Sequence, residues 1–244
     1  MNAYVAPIMN RYLGRLADEA GAEHFTIMGS NGGAIPVERA RKEPVHTVLS
    51  GPAGGVVGAL TWARRSGHDH VISFDMGGTS TDTSLCPGRP LRTREFEIAG
   101  QPTSIPVIDI HTVGAGGGSL ARLDAGGALR VGPQSAGAEP GPICYGRGGT
   151  GVTVTDAHVW LGRLPADAFL GGDETLDREA IRAPLEEIAA RLGTNIDDAA
   201  EGVLAVADTA MEGALRVISV ERGYDPADFA IVAFGGAGAS MWPS

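Results

Sequence analysis

The 244-residue chain carries 19 basic and 29 acidic side chains, a formal charge of −10, with 43% hydrophobic and 5% aromatic residues. That length and composition exclude a disordered chain and a disulfide-stapled miniprotein. The acidic balance, with no basic run denser than Arg39-Ala40-Arg41-Lys42, excludes nucleic acid as a partner. Cys86 and Cys144 form no C-x-x-C pair, and no charged leader precedes an apolar run, so the reading is a cytoplasmic protein. The longest apolar candidate, residues 203–220, is crossed by Asp208, Glu212 and Arg216 at helical spacing; it reads as an amphipathic helix, and no membrane segment is expected.

In chain order, residues 3–20 predict a helix with Met9, Tyr12, Leu13 and Leu16 inward, and residues 25–28 a short strand before the turn Ser30-Asn31-Gly32-Gly33. Residues 1–45 read as the tail of a preceding domain or a connector, and 46–244 as the main domain. A glycine-rich turn, Ser50-Gly51-Pro52-Ala53-Gly54-Gly55, is expected to open a helix that runs to Arg65. Residues 71–74 predict an apolar strand, which Asp75-Met76-Gly77-Gly78-Thr79-Ser80-Thr81-Asp82 turns back into a second strand. Further strands are expected around 104–111, 120–131 and 152–156, with a hairpin turn at 124–128. Apolar spacing then predicts helices over 181–192, with Pro184 kinking or restarting the first, and over 204–218. A buried-type strand at 229–234 runs into Gly235-Gly236-Ala237-Gly238.

The segment 75–82 carries the sharpest chemistry. Consecutive Gly77 and Gly78 let backbone amides approach an anion, and Thr79, Ser80 and Thr81 add hydroxyls, so the loop suits phosphate. Asp75 at the strand end suits a water ligand of Mg²⁺, and Asp82 is placed to orient water or accept a proton. The plain alternative is an Asx-type turn with threonines chosen for strand propensity. A second loop, Gly114-Ala115-Gly116-Gly117-Gly118-Ser119, and a third, Gly235 to Gly238, also follow apolar runs, where ligands sit outside strand carboxyl ends. Asp109 and His111 would share a face of one strand and are candidate metal ligands, as are His68 and His70; the alternative is a satisfied polar pair. Asp156 reads as a site candidate or a helix N-cap.

Other motifs fail. The only lysine, Lys42, lies in Arg-Lys-Glu, which excludes a Walker loop. Gly146 to Gly151 satisfies G-x-G-x-x-G but precedes an expected strand where the dinucleotide fingerprint needs a helix. No G-x-S-x-G elbow is present, and neither cysteine has a neighbouring base.

Taken in order, SGPAGGVVGA (50–59), FDMGGTSTD (74–82), TVGAGGGSLAR (112–122), VGPQSAGAEPGPICYGRGG (131–149), TVTDAHVWLGRL (153–164) and FGGAGA (234–239) resemble the hydantoinase A / 5-oxoprolinase / acetone carboxylase β-subunit family. The resemblance implies an α/β fold of the actin/Hsp70-like (ribonuclease H-like) ATPase type, with Asp75 to Asp82 as the second phosphate hairpin and Gly235 to Gly238 opening the adenosine motif. It implies ATP and Mg²⁺ as cofactors, activation of a small cyclic amide or a ketone by phosphorylation, a hydantoinase B-type subunit or domain as partner, and an oligomeric assembly. Family members carry an earlier Asp-x-Gly-Gly-Thr-x-Thr-Asp hairpin, whereas here the motif occurs once. The chain is therefore expected to be an internal, incomplete piece of a longer subunit. Three functions stay open at this level: the nucleotide-binding core of an ATP-dependent cyclic amidohydrolase, a catalytically silent nucleotide-binding or assembly module, and an acetone-carboxylase-type ligase subunit.

Overall fold

The computed structural model describes residues 2–22, 24–94, 96–98, 101–167 and 175–238. They form a mixed α/β structure of two internally packed units, the described residues within 1–73, 84–110 and 227–232 in one, and those within 74–83, 111–226 and 233–238 in the other.

In the first unit, helix α1 (Asn2–Ala20) turns Met9, Leu13 and Ala17 toward Val37 and Ala40 of α2 (Val37–Lys42). Strands β1 (Thr26–Met28) and β2 (Ala34–Pro36) pair antiparallel across the 29–33 turn, with Ile27 opposite Ile35. Tyr12, expected inward, is 48% exposed, because the stripe of α1 that meets α2 follows positions 9, 13 and 17. Helix α3 (Ser50–Arg65) buries Ala53, Val56, Leu60 and Ala63 at helical spacing against Val71, Cys86 and Ile108. Ser50 to Gly55 is thus no loop: these residues are the first turns of α3, where Pro52 needs no intrahelical donor.

Strands β3 (His70–Met76) and β4 (Thr81–Pro87) are joined by the four residues Gly77 to Ser80. Strands β5 (Arg92–Thr93) and β6 (Phe96–Ile98) follow, then β7 (Gln101–Thr103) and β8 (Val107–Ile108). β5 pairs with β8, and β6 with β7. With β9 (His111–Val113) and β12 (Ala230–Phe234), β3 and β4 form a four-stranded sheet in the order β12-β3-β4-β9. The single strand expected at 104–111 is two, because β8 pairs with β5 while β9 pairs with β4. β12 is an edge strand with no fully buried residue, where a buried strand was expected.

In the second unit, β10 (Ser119–Leu123) and β11 (Leu129–Ser135) form the expected hairpin. Asp124 builds its turn: Oδ1 accepts from the amides of Gly126 (2.9 Å) and Ala128 (3.0 Å), and Oδ2 from Arg130 Nε at 2.9 Å. Helices α4 (Val154–Trp160), α5 (Glu179–Leu192) and α6 (Ile196–Ile218) complete the unit. The helix α5 runs on across Pro184 without a break, and α6 buries Val203, Leu204, Ala207, Met211 and Ile218. No helix among the described residues is long and apolar enough to cross a membrane.

Of residues 152–156, expected as a strand, Thr153 makes only an isolated antiparallel bridge to Leu120, and 154–156 start α4. Thr153 is the N-cap and Asp156 the third helical residue of a capping box, so the cap is Thr153 and not Asp156. The Asp156 carboxylate is fully buried and accepts from Thr153 N (2.8 Å), Thr153 Oγ1 (2.8 Å), Cys144 N (2.9 Å) and Ile143 N (3.2 Å). Asp156→Ala should lower unfolding free energy by about 3 kcal/mol or more, measured by urea denaturation, because it leaves buried donors without acceptors.

His158, on α4, is 2% exposed and neither ring nitrogen has a partner among the described residues. Burial, reinforced by Arg163, pulls its pKa from 6.5 down to about 4. The folded state therefore binds fewer protons than the unfolded chain between these values, and stability that is complete above about pH 6.5 falls as the pH drops toward 4. His158→Leu should flatten the difference between urea midpoints at pH 7 and pH 4.5, with up to about 3 kcal/mol of acid sensitivity removed.

Candidate functional site

The candidate site lies wholly in the second unit. Its centre is the β3–β4 turn, closed by Gly77 N donating to Ser80 O at 2.9 Å. The turn is held from one side by the second glycine loop: Gly117 N donates to Gly77 O (3.0 Å) and Gly118 N to Gly78 O (2.7 Å). That loop is itself buried from Ala115 to Ser119. Gly116 N donates to Ser119 Oγ (2.9 Å), Gly117 O accepts from both Thr155 N and Thr155 Oγ1 at 2.8 Å, and Gly118 O accepts from Ala136 N at 2.8 Å. Gly116 is obligatory on steric grounds, since a Cβ there would lie 2.6 Å from Gly77 O. The close approach that the sequence suggested for a ligand is made at Gly116 and Gly118 to the hairpin backbone, and at Gly117 to Thr155 and Ala237. Gly114 precedes the tied stretch and is exposed.

With the carbonyls of Gly77 and Gly78 engaged, the amides of Gly78, Thr79 and Ser80 have no hydrogen-bond acceptor among the described residues, and Gly78 and Thr79 are exposed. Consecutive unpaired amides of this kind form a concavity for an anion. Thr79 Oγ1 stands beside them, 3.3 Å from Ser135 Oγ at the end of β11. Ser135 Oγ also accepts from Gly137 N at 3.1 Å. Thr81 differs from its neighbours: it is fully buried, and its hydroxyl donates to Ala115 O at 2.7 Å, so it ties the two loops.

Asp75 and Asp82 flank the turn on β3 and β4. Asp75 is half-buried, and burial, followed by the charge of Asp82, pushes its pKa up. Asp82 Oδ1 accepts from Thr112 Oγ1 of β9 at 2.6 Å, which orients that carboxylate. Two like charges on neighbouring strands disfavour each other, and a bound cation removes that cost. The third glycine loop closes over Asp75. Ala237 N donates to Met76 O at 2.9 Å, and Gly235, at φ +87°, packs so tightly that a Cβ would collide with Asp75 Oδ1. Gly236 and Gly238 continue this loop, with Gly238 N 3.3 Å from Gly235 O; Ala239 lies outside the described residues.

The structure thus brings together the hairpin, Gly116 to Gly118 and Gly235 to Gly238. It does not put Asp109 and His111 on one strand: His111 opens β9, whereas Asp109 precedes it in the link from β8, in the first unit. His70 stacks on Phe229 at 5.3 Å, and exposed His68 donates its amide to Ala63 O at the end of α3. Among the described residues, no three His, Cys, Asp or Glu side chains cluster as metal ligands. Sequence reading missed Ser135, Thr112 and Thr155, which reach the loops from 56, 30 and 38 residues away.

The sequence pattern of the hydantoinase/oxoprolinase family matches residues 1–244. The chain is similar to caprolactamase subunit alpha of Pseudomonas jessenii, 44% identical over 243 residues that make up 97% of this chain and 35% of that protein. It is 36% identical to 5-oxoprolinase 1 of Arabidopsis thaliana, over 98% of this chain and 20% of that protein. Among solved structures it is similar to the ATP-dependent caprolactamase from Pseudomonas jessenii, with a TM-score of 0.85 over 98% of this chain and 35% of that one. A nucleotide-free acetone carboxylase, 35% identical, gives 0.82 over 95% of this chain and 33% of that one. The chain spans about a third of the length of the caprolactamase and a fifth of the oxoprolinase.

The packing of Gly116 on Gly77 yields a contrast. Gly116→Ala should destabilise by about 1–3 kcal/mol through overpacking. Gly58→Ala, in α3 with open space around its Cα, should stabilise by about 0.5–1 kcal/mol; urea unfolding of both variants checks the pair.

Proposed function

Because the chain belongs to the hydantoinase/oxoprolinase family, we propose that it carries a phosphate-binding hairpin of an ATP-dependent enzyme that activates a cyclic amide by phosphorylation before ring opening. The observation that carries this reading is the turn whose amides at Gly78, Thr79 and Ser80 have no acceptor among the described residues while the carbonyls of Gly77 and Gly78 are held by the neighbouring loop. On this reading the fold is of the actin/Hsp70-like ATPase type, 46–244 is the ATPase domain with 1–45 as a connector, and Gly235 to Gly238 belongs to the adenosine side. A hydantoinase B-type partner opens the ring. Cyclic amides are favoured over ketones by the 44% identity to a caprolactamase, against 35% to acetone carboxylase.

The residues present fit Mg-ATP. The open amides and the Thr79 and Ser80 hydroxyls take phosphate oxygens, and Asp75 with Asp82 offers a paired negative charge that a divalent cation relieves. Mg²⁺, when bound, supplies charge neutralisation of the transferring phosphoryl group. Asp75 would hold the metal's water, and Asp82, oriented by Thr112, would position a water or accept a proton. Thr81 acts by tying the turn to Ala115.

Calorimetric titration of the chain with Mg-ATP and Mg-ADP tests this. Saturable, magnesium-dependent binding is expected, with at least a tenfold loss in Asp75→Asn. The same variant should melt no lower than the parent at pH 7, because its charge is disfavoured by burial and by Asp82. Absence of binding by the folded parent, or undiminished binding by the variant, would sink the reading.

A further inference from the structure

The turn at 29–33 has no part in the nucleotide reading, yet it opens onto a cavity of about 260 Å³ lined by Gly29, Asn31, Ile35, Arg39, His46 and Pro106. All of these residues lie in the first unit. The turn is preorganised. Gly29 N donates to Gly33 O (2.7 Å), Gly32 N to Gly29 O (2.9 Å), Ser30 N to His46 O (2.7 Å), and Ile108 N to Ser30 O (2.8 Å). Gly32, at φ +79°, packs on Ile108 and Val57.

The polar groups at this cavity are mostly donors. Asn31 Oδ1 accepts from Gly33 N at 2.9 Å, which leaves its Nδ2 without an acceptor among the described residues. Arg39 Nε donates to Glu43 Oε2 at 3.1 Å, and the same oxygen lies 3.5 Å from His46 Nε2. The protein's own carboxylate thus already sits between a guanidinium and an imidazole, and the terminal nitrogens of Arg39 have no partner among the described residues. Arg92, which is not part of the lining, donates its Nε to Asn31 O at 3.2 Å and so helps to fix the turn. Ile35 and Pro106 supply apolar wall. An uncommitted guanidinium edge and side-chain amide beside an apolar wall suit a ligand with one anionic group and a compact apolar body.

We propose that this cavity binds a small organic carboxylate, its anionic group held by Arg39 and Asn31 Nδ2 and its apolar body against Ile35 and Pro106. The site is separate from the phosphate hairpin, and its test contains no nucleotide, so the two readings fail independently. The full chain is titrated calorimetrically with cyclopentanecarboxylate, with cyclopentanol and inorganic phosphate in parallel. Saturable binding of the carboxylate is expected, with roughly tenfold weakening in Arg39→Gln and in Asn31→Asp, which keeps the Oδ1 acceptor for Gly33. Glu43→Gln removes the competing carboxylate and should tighten binding several-fold. That gain separates recognition from simple loss of structure, and thermal melts confirm that each variant is folded. No saturable heat in either the parent or Glu43→Gln overturns the proposal. So does unchanged affinity in Arg39→Gln, equal binding of cyclopentanol, or binding of phosphate with the carboxylate silent.

Discussion

Two peptide hydrogen bonds, from Gly117 N to Gly77 O and from Gly118 N to Gly78 O, set the state of the candidate site. They engage the carbonyl side of the β3–β4 turn with backbone, while the amides of Gly78, Thr79 and Ser80 have no acceptor among the described residues. Buried peptide groups must be paired, so the donor loop is in turn satisfied by Thr155, Ala136 and Ser119. Thr81, which sequence alone groups with the other hydroxyls of the turn, serves this same tie through Ala115 O. A turn fixed on one side and unpaired on the other is preorganised for an acceptor-rich ligand, with little ordering left to do on binding.

Charge supplies the second constraint. Asp75 is half-buried beside a like charge, with Gly235 packed against its carboxylate, a placement that costs stability unless a cation or a proton compensates. Strain of this kind collects where a ligand repays it. Asp156 is the contrasting case: a fully buried aspartate, it is satisfied by four protein donors and works as the anchor of a capping box. The more deeply buried carboxylate is the one with four donors, whereas Asp75 has no hydrogen-bond donor among the described residues.

Much of the secondary structure was legible in residue spacing. The stripes of α5 and α6, the β3–β4 pair and the hairpin at Asp124 follow from local periodicity and turn chemistry. The errors share a cause. Tyr12 looks inward on spacing, but which stripe of α1 is covered depends on where α2 packs. Ser50 to Gly55 reads as a loop because helix propensity is low there, yet packing of Ala53 and Val56 holds it helical. Residues 152–156 look like a strand until Asp156 finds the amides of Ile143 and Cys144. Asp109 and His111 alternate like neighbours on one strand, and a change of pairing partner between β8 and β9 separates them.

The amino-acid sequence by itself determined the family, the order of the glycine-rich loops and the identity of the carboxylates at the hairpin, because these depend on residue type and short spacing. Only the tertiary structure decided that Gly116 to Gly118 serve the hairpin's backbone, that Thr81 is a tie while Thr79 stays beside open amides, and that Ser135 and Thr112 join the site. Those assignments rest on contacts between segments 30 to 56 residues apart. Pairing at such separations is set by which buried donors and acceptors the packed chain leaves unsatisfied, a property that no local stretch of residues encodes.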